Sequence, residues 1–110
     1  MGKMQRTKGA KWERRIVNDL KEHHIGARRT APLQTDGHPY PDVLATPLWI
    51  EAKVGKQPPI IRGLEQALAT CPSTHIACCV AKKDRQAPTI TMLWDDFLEL
   101  LQEWRERGER

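Results

Sequence analysis

The chain of 110 residues is poor in several features that would classify it quickly. It has three cysteines, two of them adjacent, a weak basis for a disulfide framework, so the expectation is a reduced, cytoplasmic protein. No apolar run approaches the roughly 18 residues that a membrane-spanning helix requires. The start, Met1-Gly2-Lys3-Met4-Gln5-Arg6, is basic and lacks the apolar stretch of a secretory signal. With one tyrosine, one phenylalanine and tryptophans mainly on apolar stripes, no interleaved aromatic set is available to stack unpaired bases. Repeats, low-complexity tracts and linkers are absent from the sequence. What remains is 39% hydrophobic and 29% charged, the composition of a folded soluble domain. One domain over residues 1–110 is expected, with residues 1–7 as a basic N-terminal arm.

Charge is distributed unevenly. The net charge is +4, but residues 1–31 carry nine basic side chains against three acids, whereas the last seventeen residues carry six acids against three arginines. A basic end opposed to an acidic one suits a polyanion partner, and phosphates are the usual choice.

Periodicity supplies the elements. Trp12, Ile16, Val17 and Leu20 recur at helical spacing between about Lys8 and His24, with Gly26 as the stop. Ala27 to Thr30 reads as a short strand, and the Pro- and Gly-rich residues 31–41 as a loop. Asp42–Ala45 and Leu48–Val54 read as two strands joined tightly at Thr46-Pro47. A second helix follows Pro58-Pro59, with Ile60, Ile61, Leu64, Ala67 and Leu68 as its apolar stripe. Strands at His75–Ala81 and Pro88–Leu93 precede a closing helix striped by Trp94, Phe97, Leu98, Leu101 and Trp104, capped by Asp95 or Asp96. That stripe reads as core, with part of it available as a dimer surface. The class is α/β, a small central mixed sheet flanked by helices.

The chemistry concentrates between Asp42 and Lys53. Glu51 and Lys53 stand two apart on one strand and share a face. A hairpin centred between Thr46 and Pro47 sets Asp42 opposite Glu51 on that same face. Facing carboxylates repel, and one lysine is too little charge to offset both in a partly dry site. A hard divalent cation resolves the conflict: Mg²⁺ takes one or two carboxylates together with water and phosphate oxygens. The Ala52 carbonyl offers one more oxygen. Such a set suits phosphodiester hydrolysis, with Lys53 orienting the attacking water or offsetting charge in the transition state.

Pro41-Asp42 followed by Glu51-Ala52-Lys53 resembles the PD-(D/E)xK nuclease motif, and the element order is similar to that superfamily's restriction-endonuclease-like αβββαβ core. The resemblance covers about residues 6–101. A Lys8-Gly9 turn before the first helix, the Arg28-Arg29 strand and the short length are most similar to archaeal and phage Holliday-junction resolvases. The resemblance implies Asp42 and Glu51 as metal ligands, Lys53 as the water-positioning lysine, and Glu13 as a third acid reaching the metal. Gln66 resembles an accessory polar position also found in virus-type replication-repair nucleases. The implied cofactor is Mg²⁺, with Mn²⁺ as a substitute. The implied activity is endonucleolytic cleavage of double-stranded or branched DNA by a homodimer.

DNA-contacting candidates are Lys3, Arg6, Lys8, Lys11, Arg14, Arg15, Arg28, Arg29 and His38, through phosphates rather than bases. The rival readings are a flap-cutting or nicking nuclease and a non-catalytic DNA-binding module of the same fold. Cys71, His75, Cys78 and Cys79 suggest zinc only superficially, since adjacent strand residues face opposite ways.

Overall fold

The computed structural model describes residues 2–30 and 39–108, with side chains described from Thr7 onward. Helix α1 (Gly2–Glu22) leads into strands β1 (Arg28–Arg29), β2 (Val43–Ala45) and β3 (Leu48–Gly55). Helix α2 (Ile60–Thr70), strands β4 (Ile76–Lys83) and β5 (Thr89–Met92) and helix α3 (Trp94–Gly108) complete the chain. The five strands lie in chain order in one sheet. β3 and β4 are parallel and linked through α2, whereas β1–β2, β2–β3 and β4–β5 are antiparallel. This is the expected α/β class, with the expected succession of elements.

Strand alternation assigns the two faces of the sheet. On one, Trp12, Ile16 and Val17 of α1 pack with Val43, Ala45, Ile50 and Cys78. On the other, Ala67 packs with Trp49 and Ala77, and Leu64 with Cys79 and Ala81. Consecutive residues of β4 are therefore buried on opposite sides, which explains the apolar run over 76–81 before Lys82 and Lys83. Ile50 is 1% exposed, and truncating it to alanine costs about 2–5 kcal/mol. The Trp12 indole N–H is satisfied by the Val80 carbonyl at 3.2 Å, which ties α1 to the central strands.

Several boundaries differ from expectation. α1 starts at Gly2, so the expected arm over residues 1–7 is helical from Gly2, and Lys8-Gly9 lies inside the helix rather than in a turn before it. The helix stops before Gly26. His24 takes the left-handed conformation at φ 62°, its amide bonded to the Lys21 carbonyl and that of Ile25 to the Leu20 carbonyl. That pattern closes a helix without glycine. α3 begins at Trp94, placing Asp95 and Asp96 in its first turn, where they favour the helix dipole without capping it.

The largest correction concerns apolar stripes. Ile61 and Leu68 of α2 are exposed, because Gly63, Leu64 and Ala67 make the packed face. No residue of α3 is buried, and Trp94 and Trp104 are 68% and 70% exposed. The α3 stripe is a surface of this chain, not its core.

Candidate active site

The hairpin pairs Val43 with Ile50, Leu44 with Trp49 and Ala45 with Leu48 across a two-residue connection containing a cis Thr46-Pro47 peptide. Continued by one step, this register sets Asp42 beside Glu51, as expected. The approach to Asp42 is held by Thr30, which is fully buried. Its amide donates to the Asp42 carbonyl at 3.2 Å, and its hydroxyl donates to the carbonyl of buried Pro41. Pro41 lacks an N–H and brings no unpaired donor into this interior.

Side-chain geometry completes the placement. The Ala52 backbone N–H donates to Asp42 Oδ2 at 2.9 Å, beyond the last rung of the β2–β3 ladder. In an extended strand the N–H and C=O of one residue point the same way, so the Ala52 carbonyl is directed to this edge too. Burial pushes the Glu51 carboxyl up to about 8; a hydrogen bond to Asp42 and the Asp42 charge add to the rise, and Lys53 opposes it. Without a cation this surrounding favours the protonated form of Glu51.

Lys53 follows on the same strand face and is half-buried. Its stem runs against α2 where that helix carries Gly63. A Cβ there would stand 2.6 Å from Cys79 Sγ, 3.1 Å from Lys53 Cγ and 3.3 Å from Lys53 Cε. Gly63 is thus the gap through which Lys53 reaches the acid pair. Beneath it, burial pushes the Cys79 thiol up to about 11, with Lys53 opposing the rise, so Cys79 is a protonated packing residue.

The remaining candidates divide. Glu13 is close enough to feel the Asp42 charge, and burial first of all pushes its pKa up. Its carboxylate is nevertheless held by Arg29 Nε at 3.0 Å instead of converging with the acid pair. Arg29 is half-buried and meets Glu13 through Nε. Arg15 lies 3.7 Å from Asp19 and over the Trp12 ring, and Lys8 pairs with Asp84 at 2.9 Å. Lys11, Arg14 and Arg28 are exposed. Gln66 is exposed on α2, and among the described residues no hydrogen bond joins it to the acids. Lys3 and Arg6 stand on the first turns of α1 with side chains outside the described set, and His38 lies outside the described residues. Cys78 and Cys79 are buried on opposite faces of β4, which excludes the shared zinc ion as expected.

Thr30 and Gly63 carry no motif that marks them in the sequence, whereas Cys79 is the buried packing thiol that its strand position implies. A glycine in mid-helix was the available signal, since it costs about 1 kcal/mol relative to alanine and marks close approach.

Among the described residues, no group of three or more His, Cys, Asp and Glu side chains is arranged to hold a metal ion. The donors that do converge are two carboxylates and a directed carbonyl. They fit an oxygen-seeking ion that completes its shell with water and substrate phosphate. No family model, curated protein or solved structure matches the chain.

Proposed function

We propose that the protein is a Mg²⁺-dependent endodeoxyribonuclease of the PD-(D/E)xK kind, acting on branched DNA in the manner of a Holliday-junction resolvase. The observation that carries this reading is the half-buried Asp42–Glu51 pair, with Lys53 two residues farther along the same strand face. Two acids facing each other in a partly dry site are unfavourable for folding alone, and a strongly perturbed carboxyl such as Glu51 is a mark of functional sites.

In this reading Asp42 and Glu51 hold the cation, with the Ala52 carbonyl as a third oxygen. Bound Mg²⁺ supplies Lewis-acid polarisation of a phosphoryl oxygen and lowers the pKa of its water. The Ala52 amide keeps Asp42 Oδ2 in place, so little reorganisation is needed when a substrate arrives. Lys53, steered by Gly63, orients the attacking water and offsets charge growing on the phosphoryl oxygens. Glu13 acts from one shell out, its carboxylate oriented by Arg29.

A nuclease that resolves a junction cuts two strands, and one chain supplies one acid pair. We propose a C2 homodimer paired through α3, whose stripe of Trp94, Phe97, Leu98, Leu101 and Trp104 is left exposed.

The test is cleavage of labelled four-way junctions, flaps and linear duplex with and without Mg²⁺. Junction cleavage that needs the cation supports the proposal; preference for flaps or duplex narrows it to a repair nuclease. Absence of cleavage with either Mg²⁺ or Mn²⁺ leaves a non-catalytic DNA-binding module.

A further inference from the structure

The sheet continues past the acid pair toward a second cluster of charge. On the parallel β3–β4 pair, Glu51 stands beside Cys79, Lys53 beside Ala81 and Gly55 beside Lys83, a single row on one face. Lys83 is therefore two residues beyond the Lys53 rung, about 7 Å along the strand. Between them the surface is open: a Cβ on Gly55 would meet nothing within 4 Å.

The strand ends and the turn after β4 gather cations there. Lys56, Lys83 and Arg85 are exposed, and Lys82 is half-buried. The Asp84 amide bonds to the Gly55 carbonyl at 2.9 Å, which locks the turn to the end of β3. Lys8 reaches over from α1 to Asp84 at 2.9 Å. Asp84 is held below the usual carboxylate range by the Lys8 hydrogen bond first, with the charges of Lys8, Lys82 and Lys56 adding to it. Lys8, with weaker contributions from Lys82 and from Lys56 of the ledge side, thus converges on the Asp84 carboxylate.

Arg85 breaks a local rule. The turn closes with the Gln86 amide on the Lys83 carbonyl at 3.0 Å, and Arg85 sits in it at φ 66°. Turns favour glycine in that left-handed position because a Cβ crowds the following carbonyl oxygen, and asparagine because its side chain bonds locally. An arginine kept there holds a cation at the tip against conformational preference, a pattern associated with functional sites.

We infer that Lys56, Lys83 and Arg85 form a phosphate-binding ledge that grips the nucleic-acid backbone on the Lys53 side of the acid pair. The inference rests on the nuclease reading and locates its substrate on the molecule. The ledge adds to the expected basic set, of which Lys11, Arg14 and Arg28 are exposed while Arg15 and Arg29 also pair within the chain. Recognition here is of phosphodiester charge, independent of base sequence.

The test is fluorescence anisotropy of the full chain with a labelled four-way DNA junction, a DNA duplex and an RNA duplex. Divalent cations are omitted, and salt runs from about 50 to 200 mM. The triple variant Lys56→Ala/Lys83→Ala/Arg85→Gly removes the cations, and glycine suits the left-handed position. Its log K against log salt slope is expected to be shallower than wild type by roughly 2.7, about 0.9 for each lost phosphate contact. Lys83→Arg is expected to keep the wild-type slope, as is Lys21→Ala at the far end of α1. Equal losses on DNA and RNA identify the backbone of either polymer as ligand; a loss on DNA alone narrows it to DNA. An unchanged slope in the triple variant overturns the ledge while leaving the acid-pair chemistry standing. A wild-type chain that binds no nucleic acid overturns both.

Discussion

Asp42 Oδ2 accepts a hydrogen bond from the Ala52 amide at 2.9 Å, so the strand that carries Glu51 and Lys53 also fixes the acid facing them. β3 therefore carries two of the chemical groups and, through the Ala52 amide, holds the third, which stands one residue before β2. The burial that makes this possible also makes the acid pair costly, and the consequences can be measured.

Asp42→Asn and Glu51→Gln are expected to abolish cleavage while leaving junction binding near wild type. Losing a ligand to the catalytic ion removes several kcal/mol of transition-state stabilisation. That is at least about 10²-fold in rate. Gel-based cleavage and anisotropy on the same preparations check this, and a variant retaining normal turnover contradicts the assignment.

The cation-free protein is expected to lose stability as pH rises. Glu51 is pushed from 4.5 up to about 8 in the folded chain, by burial above all. Between those values the folded state holds a proton that the unfolded state has released. Stability is thus greatest on the acid side and declines as pH climbs through about 8. Glu51→Gln flattens this decline, and Mg²⁺ counters it in the wild type. Thermal melts from pH 5 to 9, with and without Mg²⁺, separate these behaviours; a wild-type curve as flat as that of Glu51→Gln refutes the raised Glu51 carboxyl.

Lys53→Ala is expected to lower turnover by roughly 10²-fold, the scale of one positioned charge in a transition state. Calorimetric Mg²⁺ affinity should change little, because the lysine is not a ligand. Lost Mg²⁺ binding with intact chemistry would reverse that role.

Gly63→Ala tests how Lys53 is positioned. The added methyl would meet Cys79 Sγ at 2.6 Å and Lys53 Cγ at 3.1 Å. The expected cost is about 1–3 kcal/mol of stability from overpacking, with a fall in kcat as the lysine is displaced. Cys79→Ala in the same chain clears the closer of the two contacts and should restore part of both. Denaturant melts and single-turnover rates read the two effects, and no rescue would mean that Cys79 does not set the gap.

Leu101→Glu on α3 is expected to convert a dimer to a monomer with unchanged circular dichroism, as read by sedimentation. A wild-type chain that sediments as a monomer at micromolar concentration removes the α3 pairing.

Much of this architecture is legible before folding, for reasons that particular residues make plain. Trp12, Ile16 and Val17 recur at helical spacing and are all buried, because one face of α1 meets the sheet. The compact Asp42-to-Glu51 spacing admits a tight hairpin, and the observed register follows from it. The apolar pattern of α3 shows an amphipathic helix but says nothing of what faces it; among the described residues nothing buries any α3 side chain. Glu13 illustrates a second limit. Its place near the acids follows from the order of elements, yet its capture by Arg29 depends on two side chains sixteen positions apart. The ledge has a similar origin: Lys56 is remote in sequence from Lys83 and Arg85, and they come together only when β3 and β4 have paired.

The most direct measurement is the time course of cleavage of an end-labelled four-way DNA junction by wild type and Glu51→Gln, with Mg²⁺ and with chelator. Paired nicks near the branch by wild type with Mg²⁺ alone, and none by the variant, are expected. An uncut junction under every condition, or equal cleavage by both proteins, would contradict a catalytic Asp42–Glu51–Lys53 site.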